Sequence, residues 1–162
     1  MPSLMRYINI ISRCSSMWRT DKLEGTELGD QHYPYILAVC RNPGISQDTI
    51  ARRLFINKSN VTRSLAYLES HGFVTREQSS EDRRITLVYP TEKAQEILPT
   101  VRAIIRGWNA YITEGFTEEE LEMYMDMTER LAAKAADYAK LSSDAYSDLE
   151  SVIKKPKKGD SE

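Results

Sequence analysis

The feature that most constrains the fold of this chain is a change of hydrophobic period at Gly72. Before it, Val61, Leu65 and Leu68 recur at i, i+4 and i+7, the spacing that lines one face of an α-helix. After it the period drops to 2. Phe73–Glu77 and Ile85–Tyr89 are rich in β-branched and aromatic residues and read as two short strands. Gly72 supplies the left-handed stop between the two regimes. The run from Gln78 to Arg84, between the strands, has no apolar residue and reads as a polar hairpin tip.

Upstream signals frame this unit. Asn42, Pro43 and Gly44 form a stop-and-turn signal. Ser46 then stands as a natural N-cap, with Ile45 and Ile50 at the spacing of a hydrophobic staple. Ile50, Ala51 and Leu54 line one face of the short helix that follows. Phe55 to Asn57 breaks it, and Asn57 caps a second helix running from Lys58 to about His71. Residues 31–41 read as a short buried helix that tolerates Pro34 only in its first turn. Leu4, Ile8, Ile11, Ser15 and Trp18 make residues 3–19 an amphipathic helix, and residues 20–30 a connection.

Downstream, Pro90 closes the second strand and Thr91 caps a long helix to about Glu114. Pro99 lies inside that helix, so a kink or a locally broken hydrogen bond is expected. Thr117 to Glu120 form a capping box flanked by the staple pair Phe116 and Leu121, opening a last helix to about Leu141. This order predicts a mainly α fold with a small β-wing, a winged helix-turn-helix plus flanking dimerisation helices. The expected organisation has four parts: residues 1–30 as an N-terminal dimerisation helix and connection, 31–90 as the winged helix-turn-helix, 91–150 as C-terminal dimerisation helices, and 151–162 as a disordered basic tail.

Charge supports a nucleic-acid partner once its distribution is considered. The net charge of the chain is −2, yet residues 46–84 carry seven Lys/Arg against five Asp/Glu. Residues 114–150 carry three against eleven, so a basic face and an acidic far side are expected. The outward residues of the helix after Asn57 are Lys58, Ser59, Asn60, Thr62 and Arg63. These types contact phosphates and base edges, arginine reading guanine and asparagine reading adenine. An ordinary solvated helix face is the alternative; the capped helix before it and the hairpin after it weigh against that.

Taken together, Ile45 to Ala51, Asn57 to Leu65 and Leu68 to Val74 resemble the MarR family of regulators, and Asp82-Arg83-Arg84 is similar to that family's Asp-x-Arg wing motif. The resemblance spans about residues 4–141. It implies a winged helix-turn-helix regulator, with Arg84 entering a minor groove, Asp82 orienting the hairpin and Arg83 as a phosphate partner. Ser46 and Gln47, at the start of the preceding helix, complete the candidate DNA contacts. A narrow minor groove concentrates negative potential, which suits an extended guanidinium. Pairing of Asp82 with Arg84 across the wing remains compatible with that role.

The resemblance also implies a homodimer through the first helix and the last two. Leu4, Ile8, Ile11 and Trp18, with Leu121, Met125, Leu131 and Ala135, give stripes that one small domain has difficulty burying. A twofold dimer sets recognition helices about 34 Å apart and selects a pseudo-palindromic operator, as a repressor does. Relatives in the family bind small aromatic or anionic compounds, so Arg13, Trp18, His32 and Tyr35 are taken as a candidate effector site. A plain hydrophobic hinge is the alternative.

An enzyme is not expected: no phosphate-binding Gly loop, H-E-x-x-H or G-x-S-x-G occurs, and the two histidines are isolated. No cofactor and no metal are expected, because Cys14 and Cys40 lack C-x-x-C spacing and histidine partners. Cys14 reads as a buried structural thiol, with redox sensing as the alternative. No apolar run approaches the roughly 20 residues that span a bilayer, and the N-terminus is amphipathic rather than signal-like, so a cytoplasmic protein without a membrane partner is expected.

Overall fold

The computed structural model describes residues 3–138. Their elements run α1 (Leu4–Lys22), α2 (Tyr33–Arg41), β1 (Ile45–Ser46), α3 (Gln47–Leu54), α4 (Lys58–Ser70), β2 (Val74–Gln78), β3 (Thr86–Pro90), α5 (Glu92–Ile112) and α6 (Glu118–Tyr138). The fold is mainly α with a small antiparallel sheet in the order β1-β3-β2. The described residues fall into two compact units. The larger holds α1 to α5 apart from Arg52–Phe55, and the smaller holds Arg52–Phe55 and α6. No helix among the described residues is long and apolar enough to cross a membrane.

The capping chemistry sets most helix starts. Ser46 Oγ accepts from Thr49 N at 3.1 Å, and Asn57 Oδ1 accepts from Asn60 N at 2.8 Å. Each satisfies an N–H that the first helical turn leaves without a partner. Thr91 Oγ1 accepts from Ala94 N at 3.3 Å while its own hydroxyl reaches the carbonyl of Gly72 at 2.7 Å, so one side chain starts α5 and anchors the end of α4. In α6 the capping box closes in both directions, Thr117 N to Glu120 Oε2 at 2.8 Å and Glu120 N to Thr117 Oγ1 at 3.2 Å. Phe116 nevertheless stays exposed, so the expected staple with Leu121 does not shelter it.

The core of the larger unit joins Tyr35, Ile36 and Val39 of α2, Ile50 of α3, the Val61–Leu65–Leu68 face of α4, and Phe73, Val74 and Val88 of the sheet. Ala94 and Val101 close it from α5. Two positive-φ glycines shape the route of the chain. Gly72, at φ +75°, ends α4 with open space where a Cβ would stand. Gly44, at φ +83°, lies against Tyr89, whose ring a Cβ would meet at 3.2 Å. That close approach lets Gly44 N donate to Val88 O at 2.9 Å, aligning Ile45 with Val88 and Ser46 with Leu87.

Strand β1 is not anticipated by the sequence pattern, because two residues are too few to show a period. The other strands each lie one residue later than expected. Pro90 falls inside β3, opposite Val74. Its flanking pairs carry the ladder: Thr91 N donates to Phe73 O at 3.0 Å, so the missing N–H of Pro90 belongs to a position that owes none to β2. Helix α1 runs three residues past the expected Arg19, taking in Thr20 to Lys22. Helix α5 continues through Pro99, which leaves the carbonyl of Gln95 without its helical donor but does not end the helix. Cys14 is exposed, correcting the expectation of a buried thiol; the inward residue of this part of α1 is Ser15. The expected basic tail, 151–162, and the end of the last helix near Leu141 lie outside the described residues.

Candidate nucleic-acid interface

Helix α4 is divided lengthwise by chemistry. Val61, Leu65 and Leu68 are buried, and Lys58, Ser59, Asn60, Thr62 and Arg63 are all exposed. The polar residues are held before any partner arrives. Ser59 Oγ donates to Asn57 Oδ1 at 2.8 Å, Thr62 Oγ1 donates back to Lys58 O at 2.9 Å, and Arg63 Nη2 donates to Asn60 Oδ1. The Lys58 ammonium pairs with Asp48 Oδ2 at 2.9 Å. Both members of that pair are largely exposed, so water and salt screen it and exchange of Asp48 for a phosphate is cheap.

The other two candidates, at the junction of β1 and α3, are less available. Ser46 spends its oxygen on the cap and lies 2.8 Å from Thr49 Oγ1. Gln47 is half-buried, with Oε1 enclosed and without a hydrogen-bond partner.

The wing tip is organised by one carboxylate. Asp82 Oδ1 accepts from Arg84 N at 2.9 Å and from Arg84 Nε at 3.1 Å, while Oδ2 accepts from Nη2 at 3.0 Å. This is a turn closed by a side chain, within the tip and not across the strands. The Arg84 hydrogen bonds hold the Asp82 carboxyl below its ordinary value. The Arg84 side chain is 91% exposed, so the pairing orients it without burying it. Arg83 and Glu81 are also exposed, and Ser79 Oγ accepts from Glu81 N at 3.2 Å at the entrance to the tip.

Behind α4 lies an aromatic stack that the sequence did not announce. The His32 ring stacks on Tyr67 at 4.3 Å, and Tyr67 stacks on His71 at 3.9 Å. Tyr67 donates its hydroxyl to the carbonyl of Glu27 at 3.0 Å, and Lys93 Nζ bridges Glu27 Oε2 at 2.6 Å to His71 O at 2.9 Å. The stack therefore ties the α1–α2 connection to the C-terminal end of α4. Burial pushes the His32 imidazole below its ordinary value, with Asp30 opposing and His71 assisting.

The four candidate effector residues have separate surroundings. Arg13 is exposed. Trp18 donates Nε1–H to Ile104 O at 3.2 Å and stacks on Tyr111 of α5 at 5.7 Å. His32 belongs to the stack above, and Tyr35 is 1% exposed in the core. A narrow crevice, too tight to hold a water molecule, does lie between α1, α2 and α5, but its lining is Arg19, Leu23, Tyr33, Val101, Ile104 and Ile105. Its cation is Arg19, whose guanidinium lies 4.8 Å from the centre of the Tyr33 ring, donates through Nη1 to Ser15 Oγ and pairs through Nη2 with Asp30 at 3.8 Å, while its Nε is buried without a hydrogen-bond partner. Among the described residues no group of three His, Cys, Asp or Glu is placed to hold a metal.

A capped helix pair, a polar second helix and a hairpin with an arginine at its tip define a winged-helix DNA-binding protein. A sequence profile of the MarR family matches residues 26–85. The crystal structure of MarR is 30% identical, with a TM-score of 0.76, covering 85% of this chain and 94% of that one. A MarR-family regulator from Listeria monocytogenes, solved complexed with a 26mer DNA, is 27% identical with a TM-score of 0.80, covering 85% and 91%. The HTH-type transcriptional regulator YybA of Bacillus subtilis (strain 168), itself uncharacterised, is 25% identical over 131 residues, 81% of this chain and 87% of YybA. The chain belongs to the MarR family of transcriptional regulators.

Proposed function

We propose that this protein is a homodimeric repressor that binds a pseudo-palindromic operator through α4 and the β2–β3 wing. The observation that carries the reading is the lengthwise division of α4. A fully buried inner face fixes the helix, while Lys58, Ser59, Asn60, Thr62 and Arg63 stand outward on its first turns. In this reading Arg63 and Asn60 address base edges, Lys58, Ser59 and Thr62 address phosphates, and Ser46, at the end of β1, and Gln47, at the start of α3, approach the DNA backbone. Arg84, aimed by Asp82, enters the minor groove, and Arg83 takes a flanking phosphate. The Listeria relative, solved complexed with a 26mer DNA, supports DNA as the partner.

Residues 31–90 then form the DNA-binding region, and 1–30 with 91–150 supply the dimer contacts. Support comes from the exposed Leu4, Ile8 and Ile11 of α1 and the exposed Met125 and Leu131 of α6. Selection of binding sites from random duplex DNA tests the whole reading. It is expected to return inverted half-sites about one helical turn apart. Equal affinity for the selected site and a scrambled duplex would remove the sequence-specific role. A reporter carrying the selected site is expected to fall silent when the protein is expressed.

A regulatory effector is a second reading, favoured by the partnerless Nε of Arg19 beside the Tyr33 ring. A small aromatic acid would suit that ring, and that cation once it displaces Asp30, which pairs with Arg19 at 3.8 Å. The crevice is closed to it as it stands, with no room even for a water molecule, whereas ligand sites of that kind occupy about 300 Å³ or more. Such a ligand must therefore bind an opened conformation, and it releases DNA only by favouring that conformation over the operator-bound one. A screen of aromatic acids against operator binding, repeated with Arg19→Ala and Arg13→Ala, tests this. Loss of the response in Arg19→Ala alone supports the crevice; no active acid removes the reading.

A further inference from the structure

We infer that Glu69 is the positioning residue that sets the wing relative to the recognition helix, acting on DNA binding through the aim of Arg84. The inference rests on the wing role proposed above.

Gly72 is the pivot between α4 and β2. At φ +75° it turns the chain out of α4, its carbonyl accepts from Thr91 Oγ1 at 2.7 Å, and Phe73 and Val74 are buried just beyond it. A side-chain tie spans that pivot. The Glu69 carboxylate, in the last turn of α4, accepts from Arg76 of β2 three times: Nη2 to Oε2 at 2.6 Å, Nε to Oε2 at 3.0 Å and the backbone N to Oε1 at 3.2 Å. Both side chains are partly sheltered from water. A charge-assisted contact of this geometry is stronger and more directional than an exposed ion pair.

The backbone contact follows from the register. In the sheet order β1-β3-β2, strand β2 is an edge. Arg76 stands opposite Val88, and Val88 turns its carbonyl the other way, to Gly44 N. The Arg76 N–H therefore points off the free edge, where no strand among the described residues receives it. Glu69 receives it instead. One carboxylate thus satisfies an edge N–H and holds the guanidinium of the same residue, fixing both the rotation and the distance of β2 against α4. The Arg76 hydrogen bonds hold the Glu69 carboxyl below its ordinary value, so it stays ionised and the tie is intact at neutral pH. The Asp82–Arg84 pairing orders the tip internally; the Glu69–Arg76 tie orders the whole hairpin relative to the helix.

The test is a double-mutant cycle on operator affinity using full-length Glu69→Ala, Arg84→Ala and the pair, with thermal unfolding confirming that each folds. Each single variant is expected to bind several-fold more weakly, roughly three- to tenfold. The double variant is expected to bind no more weakly than Arg84→Ala, because a wing without its arginine gains nothing from being aimed. Glu69→Gln keeps an oxygen for the Arg76 N–H but loses the charge, and is expected to recover part of the loss. It also replaces Glu69→Ala in the cycle if that variant fails to fold.

Independent, multiplying losses overturn the inference while leaving the wing role standing, as does full affinity in Glu69→Ala when Arg84→Ala is weakened. If Arg84→Ala binds normally, the wing role falls. A weakened Glu69→Ala would then show that Glu69 acts elsewhere, and the inference falls with it.

Discussion

Helices α1 and α4 solve opposite problems with the same kind of amphipathic pattern. Helix α4 buries its apolar stripe of Val61, Leu65 and Leu68 within the chain and turns polar residues outward. Helix α1 is the reverse. Its buried residue is Ser15, whereas Leu4, Ile8, Ile11 and Met17 are exposed. Helix α6, considered by itself, resembles α1, with Met123, Met125, Met127 and Leu131 exposed. An amphipathic stripe thus says that a helix has an apolar contact to make, and leaves open whether the contact lies in the same chain. A surface with this much exposed apolar material is costly for a monomer and marks an interaction site.

The largest expected effect breaks the comparison at α1. Deleting residues 1–19 is expected to leave a monomer by light scattering and to lower operator affinity by roughly a hundredfold or more, since two linked half-sites gain through effective concentration. A truncated chain that keeps dimeric mass would show that the exposed stripe of α1 is not the interface.

The α4 side of the comparison breaks through its core. Leu65→Ala removes a fully buried side chain and is expected to cost about 2–5 kcal/mol of unfolding free energy in denaturant titrations. The same truncation at exposed Ile11 is expected to shift the monomer–dimer equilibrium instead. Comparable losses of intrachain stability at both positions would erase the distinction between the two helices.

On the outward face of α4, Arg63→Ala is expected to lose about 1–3 kcal/mol on the selected operator and to relax base preference at one position of each half-site. Gel-shift titrations on operator and single-base variants measure both. Unaltered discrimination would move base readout to another residue.

The smallest effect sharpens the comparison by titrating His32, which stacks against Tyr67 near the C-terminal end of α4. The folded His32 imidazole has a lowered pKa and an ordinary value of 6.5. The stability contributed by its neutral form is therefore present above about pH 6.5 and is lost as pH falls through the folded value. The groups around it are Tyr67 of α4, which it stacks on, His71 just past α4 on the far side of Tyr67, and Asp30 of the connection. Glu27, Glu69 and Asp82 have lowered carboxyl values, so their contributions fade at more acidic pH, below the ordinary carboxylate range. Thermal unfolding measured from pH 8 to 5 is expected to decline less steeply in His32→Gln. An unchanged slope would assign the decline to another group.

Local chemistry made much of this protein legible from its residues alone. Caps at Ser46, Asn57, Thr91 and Thr117, the stop at Gly72 and the switch of period beyond it depend on bonds reaching three or four residues, so sequence order contains them. The outward set on α4 followed for the same reason, because helical geometry places residues on faces without reference to anything distant. What the tertiary structure decided lies in contacts between remote segments. Strand β1 exists because Gly44 can approach Tyr89, and the His32–Tyr67–His71 stack joins residues from two helix ends. Arg19, not Arg13, lines the crevice beside Tyr33, since the rotation of α1 against α2 and α5 determines which arginine turns inward. The Glu69–Arg76 tie was equally hidden. Seven residues apart across a glycine pivot, the two carry no periodic signal, and it is the antiparallel register that turns the Arg76 N–H toward Glu69.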